Sequence, residues 1–572
     1  MMFQFNSSSS VSFSSLSPFS GWSLLLYSFT NMSLLQHLLL LFIALCVLWT
    51  AFANTCRKYL YSVLDSTVYE KGKSFTEHLI NRTDGFECKV FTCKTKDGCR
   101  LQLLRIIYKG EEEKDHVKKM NSSSCDQEAA STCSLPSLKN DSSHNNHPSK
   151  QPHSHTLHPS TINYCKSAQQ LEELLHDREL HQQKPVIFLQ HGLLESMTVW
   201  CLHKDSLAFQ LARKGFDVWL GNNRTSWFGQ QHLVSRLHDE VNFWKFSIDE
   251  IIYYDLPAMI DFVRQATGQD KICWMGMSQG AGQLFAALSL PEFEHYKNYL
   301  YAIVGISPAC FLKKNPRSFI LRILMKIPRF FFGDREFVVG VAFSQLLLPK
   351  NFIGYMGERA LRWLNIQQNP LPDDPMKGEW FKNIPLGCTS VNNVTHWFNM
   401  LKTGGCLRKF NNKEVYPIDS MLAKWKEMYH STEHDDTISN SARTNDANYV
   451  PPILVCLGAK DNVVDFEESL KQFGCDTCSS LHESCRDNSE EAITTHSNNN
   501  NTTTKEGRLE NSMKSCHSAF KRCRILVEPE YGHTDFLWCQ VNDKLLRHYN
   551  EIIGFVQEQA KLARRCQQQQ QQ

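Results

Sequence analysis

Between residues 186 and 306, short apolar runs of strand length alternate with segments whose apolar positions recur at helical spacing. Residues 186–189, 217–220, 271–275 and 301–304 are the compact runs, while residues 206–214 and 248–266 carry the helical pattern. A helix-like stretch, residues 281–288, follows the third run. Two more compact runs, residues 452–457 and 524–527, lie near the carboxyl end of the chain. Strand, helix and strand in this alternation predict a mostly parallel sheet covered by helices, with polar chemistry gathered at the carboxyl ends of the strands.

Those ends carry particular residues. Gly276, Met277, Ser278, Gln279 and Gly280 directly follow the third run and precede the helical stretch. A serine hydroxyl is a poor nucleophile, so an enzyme that uses one sets it on a tight strand-to-helix turn where a base can reach its proton. Flanking glycines permit that turn, although G-x-S-x-G alone also describes an ordinary glycine-rich turn. In the chain order of a Ser–Asp–His triad, the acid comes next. Gly458, Ala459, Lys460 and Asp461 follow the fifth run, and Asp461 is the candidate that orients the histidine, with Asp465 as its local competitor. His533 closes the loop after the last run and is the candidate general base and acid, the one histidine of 23 at a strand end beyond Asp461. The first run ends in Gln190, His191, Gly192, Leu193 and Leu194, a glycine-flexed backbone suited to an oxyanion hole. The expected donors are the amides of Leu193 and of Gln279, the residue after the nucleophile. His191 precedes the serine and is expected to hold this loop rather than to act as base.

With these residues in place the chain resembles the acid lipases, the family of gastric lipase, lysosomal acid lipase and the fungal steryl ester hydrolases. The resemblance is carried by Gln190 to Leu194 with Trp200, residues 206–222, residues 243–247 and 254–258, the Ser278 turn, residues 389–391 with His396 and Trp397, and residues 531–538. It extends from about residue 68 to about residue 556. Two positions depart from the family pattern: Met277 stands where the family usually has histidine, and Thr225 where it usually has glycine. The resemblance implies an α/β-hydrolase fold and an activity on carboxylic esters of long-chain lipids; residues 307–450, far more chain than a strand-helix connection needs, are expected to form a helical cap over the site.

Residues 34–53 form an uncharged stretch near the length a helix needs to span a bilayer, and residues 1–33 contain no Lys or Arg. A polar amino-terminal tail and an uncleaved transmembrane helix are therefore expected, with a cleaved signal peptide as the competing reading. Arg57 and Lys58 beyond the span lean towards a cytosolic catalytic domain, while sequons at Asn81 and Asn393 suit a luminal one. Polar inserts at residues 111–160, 431–447 and 471–520 have too little apolar surface to offset the entropy of ordering. Residues 557–572, ending in a glutamine run, are expected as a solvated tail. Within residues 318–332, aliphatic and basic residues interleave, as in either a core-packed helix or a lipid-contacting lid.

Composition narrows the picture only slightly. A formal net charge of +2 over 572 residues argues against a polyanion binder, and no nucleic-acid motif is present. No cofactor is called for. The 21 cysteines include Cys475, Cys478, Cys485, Cys516 and Cys523, which with His482 and His517 could serve disulfides or zinc; no metal is assigned. No protein partner can be inferred. The sequence thus points to a single-pass enzyme of the endoplasmic reticulum, lipid droplet or another endomembrane, with lysosomal or secreted placement as alternatives. Its expected substrates are steryl esters first and triacylglycerols second, met at a membrane or lipid-droplet surface. A catalytically silent lipid-binding or tethering protein and an acyltransferase are the readings of another class.

Overall fold

The structure is a computed structural model that describes residues 79–110, 184–224, 244–314, 348–363, 365–371, 375–383, 389–411, 413–433, 449–474 and 523–571, together with Phe337 and five positions between 41 and 52. Its frame is one sheet of eight strands: β1 (Phe86–Lys94), β2 (Arg100–Tyr108), β3 (Val186–Gln190), β4 (Asp217–Gly221), β5 (Ile272–Met277), β6 (Leu300–Ile306), β7 (Ile453–Gly458) and β8 (Cys523–Glu528). They lie in the order β1-β2-β4-β3-β5-β6-β7-β8. From β4 to β8 all neighbours are parallel, whereas β1 and β2 form an antiparallel hairpin and β2 runs antiparallel to β4. This is the α/β-hydrolase arrangement. The run-by-run alternation predicts its parallel part; the hairpin is an addition, its strands less uniformly apolar than the central ones.

Strand period explains how the core divides. Val186, Phe188, Ile272, Trp274, Ile303 and Val455 point to one face and join a single buried cluster, while Ile187, Leu189, Cys273, Met275, Val304 and Cys456 point to the other. Burial on both faces is what a parallel sheet requires, and it explains why these strands read as continuous apolar runs. On the first face lie α2 (Leu256–Thr267) and α3 (Gln279–Leu288); on the second lie α1 (Leu207–Arg213) and the long carboxyl-terminal helix. The lead-in to α2 is a short turn, Ile248–Glu250, started by a capping box between Ser247 and Glu250. A π-helical turn, Ile251–Asp255, follows. It delivers Asp255 to a buried guanidinium: Arg224 donates from Nε to Asp255 at 2.8 Å and from Nη1 to Asp97, in the β1–β2 turn, at 2.6 Å. One cation thereby ties the hairpin, the β4 exit and α2.

Between β6 and β7, where a cap is expected, the described residues form α4 (Lys350–Trp363), α5 (Pro375–Asn383), α6 (Val391–Thr403) and α7 (Ile418–Glu433), with a two-residue ribbon pairing Phe311 to Cys406. These helices are not a detached layer. Trp397 of α6 and Trp425 of α7 belong to the first core cluster, and Trp380 and Phe381 of α5 to the second. Beyond β7 come α8 (Phe466–Phe473), α9 (Asp535–Trp538) and α10 (Asp543–Gln571).

One expectation is corrected here. Residues 557–572 are not a separate tail through to their start, because α10 continues unbroken to Gln571 and buries Gln559 and Ala560 against the core. Apolar residues at 552, 553, 556 and 560 keep the helical spacing past the expected boundary. The inserts at 111–160 and 471–520, most of 431–447, and the segment 318–332 lie outside the described residues, except that residues 431–433 complete α7 and residues 471–474 finish α8 and its cap. The expected span at residues 34–53 also lies outside them, apart from Leu41, Ala44, Leu45, Leu48 and Phe52, which are helical and exposed. Among the described residues no helix is long and apolar enough to cross a membrane.

The fold depends on α3 lying directly against β3. A Cβ added at Gly280 would sit 2.4 Å from the Gln190 carbonyl oxygen and 2.6 Å from that of His191, both backbone atoms that cannot rotate away. Gly280→Ala is therefore expected to lose at least about 1–3 kcal/mol, the usual cost of overpacking. Chemical denaturation of the purified variant checks this; unchanged stability would contradict the close approach.

Candidate active site

Three strand ends assemble the site. β5 stops at Met277, α3 begins at Gln279, and Ser278 between them takes φ 51° and ψ −115°. A non-glycine residue in that region is strained and persists only where its surroundings over-determine it. They do so here. The Ser278 N–H donates to the Ile306 carbonyl at 2.9 Å, and its own carbonyl accepts from Ala281 at 3.1 Å, Gly282 at 3.0 Å and Ala309 at 3.2 Å. A Cβ at Gly276 would meet the Ala281 nitrogen at 2.4 Å, so both glycines of the motif are fixed by contact. Met277, the first departure from the family pattern, is fully buried beneath the turn.

The loops after β7 and β8 bring the other two candidates to the serine. The Ser278 hydroxyl donates to His533 Nε2 at 2.8 Å, and His533 Nδ1–H donates to Asp461 Oδ2 at 2.7 Å. The second carboxylate oxygen, Oδ1, accepts the amides of Val463 at 2.8 Å and Val464 at 3.0 Å, which fixes its orientation. Asp465 is engaged elsewhere, capping α8 by accepting the Glu468 N–H at 3.1 Å. All three members of the line are buried. Burial opposes charging of the His533 ring, but the Asp461 carboxylate, and after it the charge of Glu195, outweigh this and hold its pKa above the ordinary histidine value.

The loop after β3 faces the serine from the other side. A Cβ on Gly192 would stand 3.2 Å from the Ser278 Cβ, so Leu193 follows directly beside the nucleophile. Leu194 then adopts φ 61° to turn the chain. Gln279 is the first residue of α3, where amides have no intrahelical acceptor. Of the two expected oxyanion donors, Gln279 directly follows Ser278 in the chain and Leu193 directly follows Gly192, the glycine that approaches the serine. His191 holds the loop: its Nδ1–H donates to the Gly192 carbonyl at 2.8 Å, and its Nε2 accepts the Asn223 N–H at 3.2 Å. Burial lowers its pKa to about 4, so it remains neutral in that role.

Two features escape a reading by spacing. The Gln279 side chain is gripped by the cap: its Oε1 accepts the Trp397 indole N–H at 2.7 Å and an Asn393 amide hydrogen at 3.4 Å. Trp397 stood out only through its motif, and nothing in the sequence paired it with Gln279. Glu195 is the other. Its carboxylate accepts the Gly192 N–H at 2.8 Å and the Trp538 indole N–H at 3.1 Å, joining the loops after β3 and β8. Among the described residues no group of three or more His, Cys, Asp or Glu side chains is placed to hold a metal. Of the cysteine and histidine cluster only Cys523 is described, as the first residue of β8.

Strand order, a strained serine at the β5 end and a hydrogen-bonded Ser–His–Asp line define a protein of the α/β-hydrolase class. The comparisons agree: residues 185–347 match the family model for the alpha/beta hydrolase fold. The chain is 36% identical over 231 residues to gastric triacylglycerol lipase of Bos taurus, covering 39% of this chain and 57% of that protein. It is 38% identical over 254 residues to human lysosomal acid lipase/cholesteryl ester hydrolase, covering 41% of this chain and 60% of that protein. A probable lipase of Schizosaccharomyces pombe is 32% identical over 295 residues, covering 50% and 58%. The chain is similar in sequence to these lipases and spans 57–60% of their length.

The two aspartates differ in what they contact, Asp461 the His533 ring and Asp465 the start of α8. Asp461→Asn is expected to slow covalent labelling of Ser278 by a serine-directed phosphonate by on the order of 10⁴, the scale of that change in another serine triad. Asp465→Asn should label at close to the wild-type rate, since asparagine caps a helix nearly as well as aspartate. Equal labelling of both variants would remove Asp461 from the site.

Proposed function

We propose that this chain hydrolyses carboxylic esters of lipids through an acyl-serine intermediate. The observation that carries the reading is the unbroken line of hydrogen bonds from Asp461 through His533 to Ser278. As the Ser278 oxygen attacks the ester carbonyl, His533 takes its proton at Nε2 and Asp461 stabilises the resulting imidazolium. The carbonyl oxygen becomes an anion and is met by the amides of Leu193 and Gln279. His533 then returns the proton to the departing alcohol. Water, activated by the same ring, releases the carboxylic acid and restores the serine. No cofactor enters these steps.

Steryl esters are the first choice of substrate and triacylglycerols the second; the similar proteins include a triacylglycerol lipase and a cholesteryl ester hydrolase by name. The preference for steryl esters rests on residues 34–53 as a membrane anchor, which makes the chain look more like the fungal membrane-bound steryl ester hydrolases than the secreted digestive lipases and would hold it at a membrane or lipid-droplet surface. Leu41, Leu45, Leu48 and Phe52 are each more than half exposed on helical backbone, a stripe that water does not favour. Alkaline carbonate should leave the full chain with membranes and release a chain lacking residues 1–55. A mature amino terminus near residue 54 would replace the anchor with a cleaved signal.

Purified protein is to be assayed on steryl ester and triacylglycerol emulsions across pH, beside Ser278→Ala. Loss of the serine is expected to lower turnover by on the order of 10⁴ to 10⁶. Since His533 must be neutral to accept the proton, kcat/KM should fall as pH drops through a value above the ordinary histidine pKa. Wild-type protein that labels with a phosphonate but cleaves neither ester would overturn the hydrolase reading, and acyl transfer to an added alcohol in preference to water would mark an acyltransferase.

A further inference from the structure

We propose that Glu195 is a positioning residue of the reaction: it fastens the oxyanion loop to the segment that carries His533 and lends the imidazolium a second negative charge beside Asp461. The inference rests on the ester-hydrolase reading above and assigns that site a part beyond its triad.

A carboxylate next to a loop that must receive an oxyanion is a liability unless its charge is directed elsewhere. The geometry directs it. Oε2 accepts the N–H of Gly192 at 2.8 Å, and Oε1 accepts the indole N–H of Trp538 at 3.1 Å, so each oxygen is held by a different loop. Trp538 is the last residue of α9, five positions beyond His533, and is itself buried. Gly192 directly precedes Leu193. A methyl group placed on Gly192 would stand 2.7 Å from Glu195 Oε2 and 3.2 Å from the Ser278 Cβ, so carboxylate, loop and nucleophile occupy adjoining space. The strained Leu194, at φ 61°, lies between Leu193 and Glu195, and the two accepted hydrogen bonds close this turn from outside. Without them the Leu193 amide is free to swing away from Ser278.

The charge has a definite addressee. Among the described residues, the charged groups acting on the His533 ring are Asp461, from the loop after β7, and Glu195, from the loop after β3. Asp535, on the ring's own loop, is turned aside to the amides of Gly532, Gln368 and Asn369. Burial raises the Glu195 pKa, while the Gly192 amide, the Trp538 indole and the His533 charge act against it. A protonated Glu195 would accept only weakly at the oxygen that carries the proton, and would carry no charge. As the pH falls, the tether is therefore weakened while the charge is lost.

The test uses the full chain and a soluble short-chain ester, comparing wild type with Glu195→Gln and Glu195→Ala. Glutamine offers one acceptor oxygen in place of two, and neither substitute carries charge. Both variants are expected to lose about 10- to 100-fold in kcat, within the range set by a displaced group or a weakened oxyanion donor, with KM little changed. In both, the acid limb of kcat/KM should move to lower pH, because the ring loses an anion that favours its protonated form. Glu195→Asp, which keeps the charge but not the reach, should leave the limb near its wild-type position while kcat stays low. A loss of kcat with an unmoved limb would make Glu195 merely structural, and unchanged or raised kcat would reject the proposal outright. If no Glu195 variant folds, Trp538→Phe keeps the ring and removes one donor; it should lower kcat and move the limb to lower pH, since a Glu195 without that donor protonates more readily, and wild-type behaviour there would likewise overturn the inference. Wild-type protein without esterase activity would instead count against the hydrolase reading itself.

Discussion

Ser278 occupies a backbone conformation that it would not hold by itself, and the sheet is what holds it. The turn is squeezed between β3, whose carbonyls touch Gly280, and β6, whose Ile306 carbonyl takes the Ser278 amide. Glycine is required at 276 and 280 because backbone atoms already fill the space a side chain would need. Strain of this kind costs on the order of 1–3 kcal/mol, and close packing on both sheet faces supplies it. The rest of the site follows from where this turn is anchored. Once β5 is central and flanked by β3 and β6, the loops leaving β3, β7 and β8 at the same edge of the sheet surround the serine.

Around that turn, polar groups are arranged in pairs that bridge separate parts of the chain. Asp461 links β7 to the loop after β8, Glu195 links β3 to the same loop, and Gln279 links the elbow to cap helix α6. These bridges close 72, 343 and 118 residues of sequence in turn, far beyond the reach of any local pattern. Buried polar groups of this kind are favourable only when each finds its partner, so they specify one arrangement of loops against many near alternatives. The cap is accordingly part of the active site's support. Trp397 is packed in the core and also hydrogen-bonded to the residue that opens α3.

A second set of buried charges works at the sheet edge. Arg105 pairs both of its contacting nitrogens with Asp217 at 2.7 Å, joining β2 to β4, and Arg224 joins Asp97 and Asp255. Removing one partner from such a pair leaves an uncompensated charge in a dry setting. These pairs fix the antiparallel hairpin on a sheet that is otherwise parallel. They also set the Asn222 and Asn223 loop, which accepts the Met197 amide and, in turn, donates its own amide to His191 behind the oxyanion loop.

What the sequence determined by itself is local in character. Compact apolar runs marked six of the eight strands because strands buried on both faces contain little else, and the glycine spacing marked the elbow because only glycine fits there. Chain order then found Asp461 and His533 at their strand ends. The tertiary structure decided what depends on distance between remote segments. It brought Asp461 to the His533 ring and left the carboxylate four residues further on to cap α8. It carried α10 into the expected tail, because burial of Gln559 and Ala560 depends on the core beneath them. It also gave Glu195 and Trp397 their partners. Hydrophobic periodicity reports which side of an element is buried, but not which remote hydrogen-bonding group will meet it there.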